Sequence, residues 1–139
     1  MLPKGVGVAA ISLACWSAYA GDNTWTQDKV SSAINYSNVE VVTPYAPDAS
    51  APRIAPGSQI THVYAMRSYM GNAMVETSLC WNGTSRCVPL NGNHINTHAF
   101  DGLDASKPMY LVHKARGDKA RPLPGPVFVK GSVAVWYAP

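Results

Sequence analysis

The chain reads as an all-β protein: a small antiparallel β-sandwich with one cross-strand disulfide hairpin. Three observations predict this. Eleven glycines and eleven prolines are spread through 139 residues and cut the chain into short segments. Several segments alternate apolar and polar residues or are rich in β-branched and aromatic ones, and helical periodicity is hard to find. The stretch Met74–Leu90 holds two such runs around Asn82-Gly83, both residues that tolerate the positive φ of a tight turn.

That hairpin sets its own register. With Asn82–Ser85 as a four-residue loop, Trp81 faces Arg86 and Cys80 faces Cys87. A two-residue Asn-Gly turn would place Cys80 opposite Ser85 instead. Opposed residues at a non-hydrogen-bonded pair approach closely enough for a disulfide, which favours the first register. Ala73, Val75, Thr77, Leu79 and Trp81 then share a core face with Val88 and Leu90, and the cysteines clip the other face. Two buried free thiols are the alternative, and the N-terminus argues against it.

Met1–Ala20 reads as a secretory signal. Lys4 is its only charge, Gly5–Trp16 is a short apolar run, and Ala18-Tyr19-Ala20 is a small-x-small site for cleavage after Ala20. Such a run is too short to span a bilayer as a stable helix. Ser12-Leu13-Ala14-Cys15 matches a lipobox only in part, since Ser12 stands where such boxes carry Leu. Cleavage would leave residues 21–139 as a single β-sandwich domain whose two cysteines, in an exported protein, are expected to be oxidised.

Taken in order, residues 21–28 read as an irregular lead-in carrying Trp25. Residues 29–37 fit a short helix or a first strand. Asn38–Tyr45 is β-branched and reads as a strand ending at Pro44, and three prolines make residues 46–57 a loop or edge segment. Gln59–Met70 is a long strand with apolar residues on both faces, as in a strand covered on both sides. Gly71-Asn72 turns into the hairpin. Ile95–Phe100 reads as a short strand and residues 101–108 as a polar loop. Met109–Lys114 is a strand, and Arg116–Pro126 is the longest run of breakers. Val127–Tyr137 is one strand kinked at Gly131 or two short ones, with Val133, Val135 and Tyr137 toward the core. About seven to eight strands suit two packed antiparallel sheets.

Composition narrows the function classes. Ten Lys and Arg remain against eight Asp and Glu once Lys4 is removed, a net charge of +2. That is too weak and too evenly spread to argue for nucleic acid. No second long apolar run follows residue 20, so no membrane span is expected after cleavage. His94 and His98 have a helical metal-ligand spacing, but the segment looks extended and no acidic or cysteine ligand accompanies them, so no metal is expected. His62 and His113 are solitary, and no Gly-x-Ser-x-Gly elbow surrounds a serine. Cys80 and Cys87 are too far apart for a redox Cys-x-x-Cys, and Asp101 and Asp104 read as a solvated loop. Asn35-Tyr36-Ser37 and Asn82-Gly83-Thr84 are sequons only in a eukaryotic secretory pathway. No catalytic residue and no cofactor is expected.

Several motifs together resemble a known family. The Cys80-x6-Cys87 hairpin, with Arg86 before the second cysteine and Leu90 after it, resembles the flagellar FlhE proteins. So do the upstream strand His62–Tyr69, the Ala99-Phe100 pair, Met109–Val112 and Gly131–Tyr137, in the family's order. The resemblance covers residues 60–137, and residues 21–59 depart from it apart from Trp25. It implies a periplasmic β-sandwich of Gram-negative bacteria that acts by binding. Its partners would be proteins of the flagellar type III export apparatus, where it would regulate export and limit proton leakage through the gate. The family's structural cysteines fall on Cys80 and Cys87, and it has no catalytic residues to carry over.

Two surface features are candidates for partner binding. One is Trp81 with Arg86 opposite, where the guanidinium either lies over the indole or covers the core edge with its stem. The other is the basic stretch Lys114, Arg116, Lys119 and Arg121; Tyr69 joins the set. The rival reading is a secreted carbohydrate- or peptidoglycan-binding sandwich, for which seven Tyr and four Trp would supply stacking surfaces.

Overall fold

The computed structural model describes residues 23–48 and 53–139. The signal segment and its cleavage site lie outside them. Ten strands run in order: β1 (Asn23–Val30), β2 (Ile34–Tyr36), β3 (Glu40–Tyr45), β4 (Gln59–Tyr69), β5 (Val75–Trp81), β6 (Cys87–Pro89), β7 (His94–Thr97), β8 (Met109–Ala115), β9 (Pro122–Val127) and β10 (Val129–Ala138). They form two four-stranded sheets, ordered β1-β10-β4-β7 and β3-β8-β5-β6, and a two-stranded ribbon, β2-β9. All the strand pairs are antiparallel.

The core follows from alternation along the central strands. Val63 and Ala65 of β4 and Val133 and Val135 of β10 point inward from one sheet. Tyr45, Leu79, Met109 and Leu111 meet them from the other. Each large apolar side chain removed from water in this way stabilises the fold by roughly 1.5–3 kcal/mol. A second cluster, Ile34, Val75, Ala115, Val127 and Val129, lies where the ribbon covers one end of the sandwich. At the other end the 98–108 loop is tied down from both sheets. Trp25 Nε1 of β1 donates to Ala105 O at 3.1 Å, and Trp81 Nε1 of β5 donates to Asp104 O at 3.0 Å.

The hairpin has the expected register. Cys80 pairs with Cys87 and Leu79 with Val88. The turn residues Asn82 and Gly83 have φ of 51° and 131°, as positive-φ turn positions require. The Cys80–Cys87 disulfide is formed, with the Cα atoms 4.0 Å apart. Val75, Thr77 and Leu79 are buried on the inner face, while Glu76 and Cys87 are exposed. Cys80 lies on the outer face yet is fully buried, between Cys87 on β6 and Tyr110 on β8.

Four elements differ from expectation, each for a physical reason. Residues 23–30 form an edge strand and not an irregular lead-in. It pairs with β10 along its whole length, from Asn23↔Tyr137 to Val30↔Lys130; only Trp25 is buried, and its side-chain links to the other sheet are polar: Gln27 Oε1 accepts from Ala46 N at 2.9 Å and Lys29 Nζ donates to Pro44 O at 2.8 Å. The proline-rich run contains β9, which pairs with β2 only at Ile34↔Val127 and Tyr36↔Pro122, so few ladder donors are needed. β4 is covered on one face only: Val63, Ala65 and Arg67 are buried, while Met66, Ser68 and Met70 are exposed. β10 runs through Gly131, and its register shift falls between Trp136 and Tyr137.

Candidate functional site

The most unusual chemistry lies between the two apolar clusters, where three polar side chains meet. Arg67 sits on the inner face of β4, between Ala65 and Tyr69, and is 8% exposed. It reaches across to β5, in the other sheet. Its Nη1 donates to Val75 O and, at 2.8 Å, to Thr77 Oγ1; its Nε is 3.4 Å from Asn93 Oδ1. Thr77 Oγ1 is in turn 2.8 Å from Nδ1 of His113 on β8. With Arg67 donating to it, the Thr77 hydroxyl is free to donate to Nδ1, which leaves the His113 proton on Nε2. That nitrogen is buried without a hydrogen-bond partner. Burial, reinforced by the Arg67 charge, pushes the His113 pKa down to about 4.

Strand lengths explain why an arginine can occupy this place. β6 pairs with β5 only from Ser78 to Cys80, so the outer edge of Val75 has no strand beside it. Side chains of β4 supply the partners instead. Tyr69 Oη accepts from Val75 N at 3.2 Å, and Arg67 donates to Val75 O. The Arg67 guanidinium carbon lies 5.2 Å from the centre of the Tyr69 ring. Outside this contact opens a groove of about 480 Å³, lined by Arg67, Tyr69, Met74, Glu76, Leu90 and Arg116 among others.

The residues singled out from sequence fall into separate places. Tyr69 and Arg116 line this groove, with Arg116 Nη2 3.3 Å from Glu76 Oε2. Lys114 lies beside them on the outer face of the second sheet, paired in register with Glu40 and Glu76. Lys119 and Arg121 belong to an exposed connection pinned by Ser37, whose Oγ donates to Lys119 O at 2.7 Å and whose N donates to Arg121 O at 2.9 Å. Trp81 and Arg86 sit at the far end of β5: Trp81 is half-buried against the main core, and Arg86 is exposed at the hairpin loop. Arg67 was not among the sequence candidates. Its signal was a lone cation on a strand face otherwise set by Val63 and Ala65.

A second surface lies on the outer face of the first sheet. His62 on β4 stacks on Trp136 of β10, centroids 4.0 Å apart and planes 9° from parallel. His98 lies 5.6 Å from His62, and His94 lies 6.2 Å from Tyr64. His98 Nδ1 is 2.8 Å from Thr61 O and 3.0 Å from Asp101 Oδ2. Among the described residues no three His, Cys, Asp or Glu side chains gather as a metal site. Asp104 is held below the usual carboxylate range by the hydroxyl and backbone N–H of Ser106.

The fold is a small, disulfide-clipped β-sandwich with a groove lined by Arg67 and Arg116 and a sheet face that carries the stacked His62–Trp136 pair. The profile of the family described as flagellar protein FlhE matches residues 32–137, and the chain belongs to that family of flagellar accessory proteins. Among solved structures, one titled "Crystal Structure of FLHE" aligns with a TM-score of 0.70 and 26% identity, over 86% of this chain and all of that one. None of the curated proteins matches.

Proposed function

We propose that this protein is a non-enzymatic periplasmic accessory of flagellar type III export that limits proton leakage through the export gate. The family match over residues 32–137 carries this reading. The disulfide adds support, because a lone cysteine pair is stable as a clip in an oxidising compartment. Residues 1–20 act as the cleaved signal and residues 21–139 as the working domain. The protein acts by occupancy: it binds export-apparatus proteins and restrains ion flow sterically or by biasing the gate's closed state. Trp81, Arg86, Tyr69, Lys114, Arg116, Lys119 and Arg121 are the contact residues. Osmotic-shock fractionation, with cross-linking to gate components in the same cells, tests this. Recovery in the shock fluid with gate-dependent cross-links supports it; retention in the cytoplasm contradicts it.

The aromatic face favours one second reading. The stacked His62 and Trp136 would suit a sugar ring, as in a peptidoglycan-binding module. Co-sedimentation with purified sacculi separates the two: binding lost in Trp136→Ala would favour the glycan.

A further inference from the structure

We propose that the groove beside β4 and β5 is a carboxylate-binding site for a peptide, with Arg67 as the pairing group and Arg116 as a second cation at its mouth. The groove contains Tyr69 and Arg116 of the contact set named above, but neither its shape nor its charge depends on the flagellar reading.

A buried guanidinium is expected to have a counter-charge, because its desolvation is not recovered by neutral acceptors alone. Arg67 has none. Neither the His98–Asp101 pair nor the Arg116–Glu76 pair involves it. The partners of Arg67 are a carbonyl, a hydroxyl, an amide oxygen and the face of the Tyr69 ring, none of which carries a formal negative charge. Completing the unpaired edge of Val75 asks only for a donor, which a neutral amide side chain would supply at lower desolvation cost. The charge therefore calls for something beyond that edge.

The groove has the matching character. Arg67, Arg116 and Glu76 are the charged residues that line it, leaving one net positive charge. Glu76 is already engaged by Arg116, so the buried cation is the one left unanswered. Met74, Pro89, Leu90 and Tyr69 add apolar surface beside it. A carboxylate carried on apolar peptide fits such walls better than a free, doubly charged phosphate. A peptide carboxylate has two sources, a chain terminus or an acidic side chain.

The test follows the Arg67 Nε–Hε NMR resonance of the intact protein at constant ionic strength. The probes are a short apolar peptide with a free C-terminus, the same peptide amidated, an amidated peptide with one internal glutamate, and inorganic phosphate. A saturable shift with the first or third probe and none with the amidated control supports the site, and which of the two binds tighter identifies the source. Arg67→Gln, followed through the backbone amide shifts of Val75, Thr77 and Gly92 that line the groove, should weaken binding by about tenfold or more, the loss of a charge-assisted contact. Arg116→Ala, at an exposed position, should weaken it by about threefold. Glu76→Gln should tighten it. These two exposed variants keep the test decisive if Arg67→Gln does not fold. No shift with either carboxylate, an equal shift with the amidated control, or a preference for phosphate would overturn the proposal.

Discussion

The hydroxyl of Tyr45 occupies the space where a side chain on Gly131 would begin. A Cβ at that position would meet Tyr45 Oη and lie 2.7 Å from Leu111 Cδ1. Tyr45 and Leu111 are both fully buried, so neither can move aside into solvent. The hydroxyl has no hydrogen-bond partner among the described residues, and burial, reinforced by the Asp28 charge, pushes its pKa up to about 12.

Gly131→Ala should therefore destabilise the protein by about 1–3 kcal/mol, the usual range for overpacking a core. Gly125→Ala is the control: nothing lies within 4 Å of its Cβ, and its φ is not in the left-handed region. Urea unfolding should show a lower midpoint for the first variant and little change for the second.

Removing the clip should cost stability without changing the fold. The Cys80–Cys87 bond closes a short loop, worth roughly 2–2.5 kcal/mol by the loop-entropy estimate. The double variant Cys80→Ala with Cys87→Ala should unfold at correspondingly lower urea. Thiol labelling of denatured, unreduced protein lacking residues 1–20 should find no free cysteine.

Much of this was legible because alternation is a strong signal where one face is buried. β5, β8 and β10 each bury alternate side chains, toward the main core at one end and the second cluster at the other, and the Asn-Gly turn sets the hairpin register. β1 was missed because its edge is held by Gln27 and Lys29, polar residues that leave no apolar period. β9 was missed because its prolines read as breakers, although a ribbon strand needs few donors. Gly131 reads as a kink in sequence, since the steric demand of Tyr45 comes from a distant strand. Arg67 escaped notice for the same kind of reason: a cation is read as surface until β6 is seen to stop short. The candidate contacts were visible as residue types, but their separation between the groove and the hairpin end depends on strand length and register.

Acid should weaken the fold through His113. Its folded pKa of about 4 lies below the ordinary value of 6.5, so the unfolded chain takes the proton first as pH falls. The stabilisation from keeping it neutral is present above about pH 6.5 and is lost progressively toward pH 4, up to about 3 kcal/mol. Urea midpoints from pH 7.5 to 4 should fall, and His113→Gln should flatten the slope in that window.

The two residues at the hairpin end should separate by their roles in packing. Trp81→Ala removes core contact and the bond to Asp104 O, and should cost about 2–3 kcal/mol in unfolding experiments. Arg86→Ala, at an exposed position, should stay within about 0.5 kcal/mol.

Cytoplasmic pH reports restraint of proton leakage without an intermediate step. It would be measured in a deletion strain under mild external acid, with the flagellar export gate present and then absent. Acidification that requires the gate and is reversed when this protein is restored is the expected result. Unchanged pH in both backgrounds would contradict it.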